Sequence, residues 1–189
     1  MPEGSKLQEP NLVWDVMIVN MTEKYTIISA TNRLNSNTYK VAVQYQKLLQ
    51  DRGIEATMLT LEGWKWLTRD PEFVAIESGI LAPATKFIFV VPEYNGSIPG
   101  VLKVMFDISS YKDTWYGKKA LLTGIATGRA GNLNGMEHLT SILHYLKVVV
   151  HPSKLPISSI DKMMNTDGLI DDAGTLRAIE KQLDEFTRF

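Results

Sequence analysis

Two polar stretches combine residue types suited to holding a small ligand. The first, Thr31-Asn32-Arg33-Leu34-Asn35-Ser36-Asn37-Thr38, brings hydroxyls, amides and one arginine together just ahead of a helical pattern. Free backbone N–H groups and the positive end of a helix dipole, joined by short side-chain donors, can surround a dianion such as phosphate while Arg33 offsets its charge. The second, Pro92-Glu93-Tyr94-Asn95-Gly96-Ser97-Ile98-Pro99-Gly100, begins where a strongly apolar run ends. Pro92 and Pro99 restrict φ and remove two donors, whereas Gly96 and Gly100 permit conformations that other residues resist, so the loop should be stiff and tightly shaped. A flat heteroaromatic ring with a polar edge could use its backbone N–H and C=O groups for hydrogen bonds and Tyr94 for apolar contact. Each stretch also has a plainer reading, the first as a polar turn that caps a helix and the second as a Pro/Gly-rich connection.

A third stretch, Ala126-Thr127-Gly128-Arg129-Ala130-Gly131-Asn132-Leu133-Asn134, is glycine-rich, a common composition between a strand and a helix. Other chemistries find no support. The chain has no cysteine, which excludes disulfides, thiolate metal sites and cysteine nucleophiles. His138, His144 and His151 form no metal pair at i,i+4 spacing and read as structural or solvent-facing, so no metal site is expected. No Gly-x-Gly-x-x-Gly or Gly-x-x-x-x-Gly-Lys-Ser/Thr string occurs. Any redox chemistry must come from a cofactor.

The elements that would position these stretches follow from hydrophobic periodicity. Tyr25 to Ala30 reads as a buried strand. A helix follows, capped by Ser36 or Asn37, with Val41, Ala42, Tyr45, Leu48 and Leu49 on one face and Gly53 as its stop. Glu55 to Leu61 is a second strand, and the stretch through Trp64, Trp66 and Phe73 is ambiguous. Lys86 to Val91 is a strong central strand, with a helix from Gly100 to Ser110. Lys119 to Gly124 is a strand, Gly135 to Leu146 a helix, and Lys147 to His151 the last strand. Leu176, Ile179, Leu183 and Phe186 mark a closing helix. Strands alternating with crossover-length helices predict an α/β fold: a doubly wound five-stranded parallel sheet of flavodoxin-like order 2-1-3-4-5, with helices on both faces. In such a sheet ligands bind beyond the carboxyl ends of the strands near the switch point. That places a site at the loops after Ala30, Val91 and Gly124.

At 189 residues the chain suits one domain, able to bury about 70% of the surface its unfolded form exposes. Residues 1–22 read as an upstream extension, with Met21-Thr22-Glu23-Lys24 as a natural beginning, so the domain is expected over 23–189. Lys plus Arg number 20 and Asp plus Glu 21, a balance that gives no long-range field for nucleic acid or anionic lipid. No apolar run approaches the roughly 20 residues needed to span a bilayer. Neither a membrane nor a nucleic-acid partner is therefore expected, and the absence of cysteine suits a cytoplasmic location.

Pro92 to Lys103, followed by Asp107, resembles the signature of the NADPH-dependent FMN reductase family. That family also carries Gly-Ser-x-Arg-x-x-Ser after its first strand, and Ala30-Thr31-Asn32-Arg33-Leu34-Asn35-Ser36 occupies the equivalent place. Arginine and the second serine are retained; Ala30 stands for glycine and Thr31 for serine. The resemblance runs from about Tyr25 to His151. It implies flavin mononucleotide (FMN) as cofactor and NADPH or NADH as co-substrate. It further implies that Arg33, Ser36, Asn37 and Thr38, with Thr31, hold the FMN phosphate, and that Pro92, Glu93, Tyr94, Asn95, Gly96 and Ser97 contact the isoalloxazine ring. Thr127, Gly128 and Arg129 would pass beside the flavin.

By the same resemblance the activity is hydride transfer from NAD(P)H to bound FMN and on to a small-molecule electron acceptor such as a quinone, azo compound, free flavin or metal oxyanion. No amino-acid nucleophile or acid/base pair is demanded, because the cofactor carries the chemistry. A homodimer or homotetramer is implied, with Trp115 and Tyr116 as candidates to face a partner. Two rivals stand beside this reading. A flavodoxin-like electron carrier would be strongly acidic to steer toward redox partners, which a formal charge of −1 opposes. A non-catalytic binding module that has lost the flavin would not need the second loop intact.

Overall fold

The computed structural model describes residues 23–189, and the extension expected over 1–22 lies outside them. Tyr25–Ser29 forms β1, buried along its whole length. Ser36, in extended backbone, caps α1 (Asn37–Gln50) by accepting the Tyr39 N–H on its hydroxyl. Next come β2 (Ala56–Thr60), α2 (Pro71–Ile76), β3 (Lys86–Pro92), α3 (Gly100–Ile108), α4 (Tyr111–Trp115), β4 (Lys119–Ile125) and α5 (Leu133–Tyr145). Two short strands, β5 (Val149–Val150) and β6 (Leu155–Ile157), precede the closing helix α6 (Ala173–Arg188).

The strands run parallel in the order β2-β1-β3-β4-β5, as the periodicity predicts. The register aligns Tyr25 with Ala56 and Lys86, and Lys86 with Lys119, so the strands start and end nearly level. The last strand departs from the expected Lys147 to His151. It is split, with β5 pairing Lys119 and Ala120 and β6 pairing Thr123 to Ile125 of the same neighbour. Pro152 falls in the break. Without an N–H it cannot extend a ladder, which is tolerable only because this strand lies at the sheet edge.

Alternation along the central strands separates two cores. Ile28, Phe87, Phe89, Val91, Ala120 and Leu122 pack against Phe73, Leu102, Phe106, Trp115, Met136 and Leu139 from α2 to α5. Ile27, Ile88, Val90, Leu121 and Ile125 pack on the other face against α1 and α6 through Val41, Tyr45, Leu49, Ile179, Leu183 and Phe186. Trp115, expected to face a partner, is fully buried, with its ring 5.1 Å from that of Phe87 and 4.9 Å from that of Phe106. A five-residue helix between polar turns carries no periodic signal that could separate its buried from its exposed aromatic. Tyr116, one residue on, is exposed.

The ambiguous stretch resolves into a brace. Asp70 caps α2, which passes into a π-helical turn over Glu77–Leu81. Glu77 is buried and accepts the N–H of Ser110 and the hydroxyl of Thr114, and it pairs with Arg69. Burial alone would raise this carboxyl, but the hydrogen bonds from Thr114 and Ser110 and the Arg69 guanidinium outweigh it and hold it below its ordinary range.

Candidate functional site

Because every strand of the central sheet points the same way, the loops after β1, β3 and β4 emerge together at its carboxyl end. Side-chain hydrogen bonds join them. Thr31, which is 1% exposed, shares a 2.5 Å hydrogen bond between its Oγ1 and the Tyr94 hydroxyl. The Arg33 guanidinium lies over the Tyr94 ring, 4.2 Å from its centroid, and the Arg33 N–H donates to Thr31 Oγ1 at 3.3 Å. The first two loops therefore meet at Tyr94.

The second loop owes its shape to Asn95-Gly96. Tyr94 and Ser97 exchange reciprocal backbone hydrogen bonds of 2.9 and 3.1 Å, and the two residues between them have φ of +53° and +75°. A two-residue connection with both central residues left-handed is the type I′ arrangement, which Asn-Gly favours. Gly100, by contrast, needs no glycine conformation: it opens α3, behind Pro99 as the capping residue. Ser97 Oγ lies 2.8 Å from Nδ1 of His138 on α5, which ties the tip of this loop to the helix of the third. Of the three histidines read as structural or solvent-facing, His138 is solvent-exposed and still reaches the loop.

The third loop is held from beneath. Asn132, fully buried and left-handed at φ +65°, donates its side-chain amide to the carbonyl of Val91 at 2.9 Å, at the base of the second loop. Its Oδ1 packs against Gly135, where a Cβ would come within 2.0 Å. Gly124 packs equally closely on the Gly131 carbonyl, at 2.3 Å from a hypothetical Cβ. These glycines serve close packing. Thr127, Gly128 and Arg129 are exposed, and among the described residues no side-chain hydrogen bond joins them to the other two loops. The Gly128 carbonyl instead accepts the N–H of Ser159, beyond β6.

A further loop at this end had no periodic or motif signal to announce it. After β2, Glu62 accepts the N–H of left-handed Asn35 at 3.0 Å, and the Gly63 N–H reaches the Asn32 carbonyl at 3.4 Å. It braces the first loop from the side of α2.

The donor set fits FMN. Ser36 engages the N–H of Tyr39, leaving those of Asn37 and Thr38 at the start of α1 with no partner among the described residues. Arg33 forms no ion pair there either. At the tip of the second loop the N–H groups of Asn95 and Gly96 are likewise uncommitted. A cationic helix start beside a turn with free N–H groups is the chemistry that a phosphorylated heteroaromatic ring requires.

Fold and site together define a flavin-linked doubly wound protein. The family model for NADPH-dependent FMN reductases matches residues 24–162, and the chain belongs to that family. It is an oxidoreductase with FMN as cofactor and NAD(P)H as co-substrate. A 2-hydroxy-1,4-benzoquinone reductase from a Burkholderia species is 28% identical over 120 residues, covering 61% of this chain and 66%, just under two thirds, of that relative. An NAD(P)H-dependent FMN reductase of Pseudomonas aeruginosa is 26% identical over 175 residues, covering 86% of this chain and 94% of the relative. Among solved structures, the flavoenzyme NAD(P)H:(acceptor) oxidoreductase FerB from Paracoccus denitrificans shares the fold with a TM-score of 0.71 at 22% identity, over 87% of this chain and 94% of its own.

Proposed function

We propose that the chain binds FMN across the meeting point of its first two loops and reduces a small quinone-class acceptor with electrons from NAD(P)H. The observation that carries this reading is the Thr31–Tyr94 hydrogen bond, which sets an anion-suited helix start beside a rigid turn with free N–H groups. When bound, FMN supplies the redox chemistry, accepting hydride from the nicotinamide and passing the electrons on. Arg33, Ser36, Asn37 and Thr38 hold its phosphate, and Thr31, whose buried hydroxyl is engaged by Tyr94 and the Arg33 N–H, supports Arg33 from beneath. Pro92 to Ser97 cradle the ring, with the N–H groups of Asn95 and Gly96 offsetting negative charge on its polar edge. Thr127, Gly128 and Arg129 flank the approach of the second substrate. A quinone is the preferred acceptor because of the named benzoquinone reductase among the relatives. Exposed Leu34 and Leu67, on the loops after β1 and β2, and exposed Leu133 at the start of α5 support an apolar acceptor at this end of the sheet.

The test is to load the purified protein with FMN and add NADPH or NADH without oxygen. Rapid bleaching of the flavin absorbance is expected, followed by recovery on adding a benzoquinone faster than on adding an azo dye, free flavin or chromate. A protein that cannot be loaded with FMN would sink the reading. A loaded protein indifferent to both nicotinamides would make it a carrier. Copies of the chain would associate through the α4–α5 face, where the rings of exposed Tyr111, Tyr116 and Tyr145 cluster with Tyr111 5.4 and 6.0 Å from the other two. Light scattering at micromolar concentration should give a dimer or tetramer, and a Tyr145→Glu variant should shift it toward monomer.

A further inference from the structure

We infer that Tyr94 is a positioning residue that couples the phosphate half of the cofactor site to the ring half, so that affinity for the phosphate depends on a hydroxyl carried by the ring loop. The inference rests on the FMN reading above. Tyr94 sits between β3 and the Asn95-Gly96 turn, yet both polar contacts of its side chain belong to the first loop. Its hydroxyl shares a hydrogen with Thr31 Oγ1 at 2.5 Å, and its ring carries the Arg33 guanidinium at 4.2 Å. Thr31 is buried, so its hydroxyl is committed to Tyr94 and to the Arg33 N–H at 3.3 Å. The cation that would face the phosphate is thus held in place from two directions, by a stack on the ring of Tyr94 and by a backbone contact to the residue that Tyr94 bonds.

Among the described residues nothing else fixes this arginine. Arg33 is exposed and, among the described residues, forms no ion pair and donates no side-chain hydrogen bond. Leu34 beside it is exposed, and the neighbouring Asn35 is left-handed and held by Glu62. The two loops are 63 residues apart in sequence, so the turn at Asn95-Gly96 and the helix start at Ser36 have no covalent reason to keep a common geometry. The Tyr94 hydroxyl supplies one. Because both loops must be ordered for FMN to bind at both ends, fixing either through Tyr94 lowers the ordering cost of the other, which is positive coupling between the two halves.

The experiment compares FMN with riboflavin, which has the same ring and no phosphate, by quenching of flavin fluorescence on titration with protein. In Tyr94→Phe the aromatic ring and the arginine stack are kept and only the hydroxyl is lost. FMN affinity should fall by about tenfold, the lower part of the usual range for coupling between sites, while riboflavin affinity stays within about twofold. Thr31→Val should show the same selective loss, Thr31→Ser should restore FMN binding, and the Tyr94→Phe/Thr31→Val double variant should be no worse than either single one, because one bond is removed in all three. Thermal melts of the ligand-free variants would check that they fold. Equal losses for FMN and riboflavin, or single effects that multiply in the double variant, would overturn the coupling and leave Tyr94 as a wall of the ring site. A wild-type protein that binds riboflavin as tightly as FMN would instead remove the phosphate site from the proposed function, and one that binds neither would remove the whole reading.

Discussion

The two ends of the sheet treat their polar groups in opposite ways. At the amino end, the foot, Lys86, Lys118 and Lys119 are engaged by the chain itself. Lys86, 1% exposed, donates to the Tyr25 hydroxyl and to the carbonyls of Phe186 and Thr187, and pairs with Glu23 at 2.8 Å. Lys119 reaches the Phe189 carbonyl at 2.5 Å, and Lys118 the carbonyls of Leu81 and Ala82 at 2.8 and 2.7 Å. At the carboxyl end, the head, Arg33 and Arg129 have no carboxylate among the described residues, and the N–H groups of Asn37, Thr38, Asn95 and Gly96 have no protein acceptor there. Lys86, Lys118 and Lys119 thus act as helix and strand clamps, each on a carbonyl at the end of a helix. The head leaves donors over for something that is not protein. Size alone would mislead here: a groove of about 1200 Å³ opens at the foot along β1 and β2, between Tyr25, Ile54, Ile80 and Thr187, at the opposite end of the sheet from the three loops.

If this contrast is right, substitutions at the foot change stability and leave flavin affinity alone, and substitutions at the head do the reverse. The largest effect is expected for Lys86→Met. It strips buried carbonyls of their donor and leaves Glu23 unpaired, and should lower unfolding free energy by about 3 kcal/mol in urea titrations. The FMN affinity of the folded fraction should be unchanged, and a parallel loss of affinity would break the division. Next is Arg33→Ala at the head. Removing the charge opposite a phosphate should weaken FMN binding by about 2 kcal/mol, or roughly thirtyfold, with ligand-free stability within about 0.5 kcal/mol of wild type. Unchanged affinity would take Arg33 out of the site.

A smaller effect is expected for Gly96→Ala. A Cβ there meets nothing within 4 Å, so the whole penalty comes from the left-handed backbone at φ +75°, about 1 kcal/mol. It should show as weakened binding of both FMN and riboflavin, since the turn that faces the ring is disturbed and the phosphate loop is not. The smallest effect is expected in the pH dependence set by Glu77. Its folded carboxyl lies below the ordinary 4.5, so the stability it adds is fully present above that value and is lost as pH falls through the folded value. Wild type should therefore lose stability more steeply than Glu77→Gln below about pH 4.5 in acid titrations followed by circular dichroism. Identical acid profiles would show that the brace under α3 and α4 does not depend on the charge.

The unequal visibility of the two ends has a physical cause. The parallel order, the two-sided burial of Phe87 to Val91 and the Ser36 cap follow from patterns carried within a few residues: apolar continuity, helical spacing, and a hydroxyl before a helix. So does the Asn95-Gly96 turn, since that dipeptide favours two successive left-handed residues. The break in the last strand was less visible, because β5 and β6 are too short for periodicity and only Pro152 signals it. The clamps of the foot were not visible at all. Lys86 opens a strand and Glu77 sits in a turn, and a lysine or glutamate in either place ordinarily reaches solvent.

By itself, the sequence determined the first four strands, the helices α1, α3, α5 and α6, their winding, and the three loops that reach the carboxyl end, because each is encoded by local propensity under a topology with few alternatives. The meeting of the loops was decided only in three dimensions. Tyr94 finds Thr31 across 63 residues, Asn132 reaches Val91 across 41, and Glu62 reaches Asn35 across 27. No periodicity spans such distances. Those contacts depend on the strand register, which brings the ends of β1, β3 and β4 level, and it is that levelling which turns separate polar stretches into one candidate cofactor site.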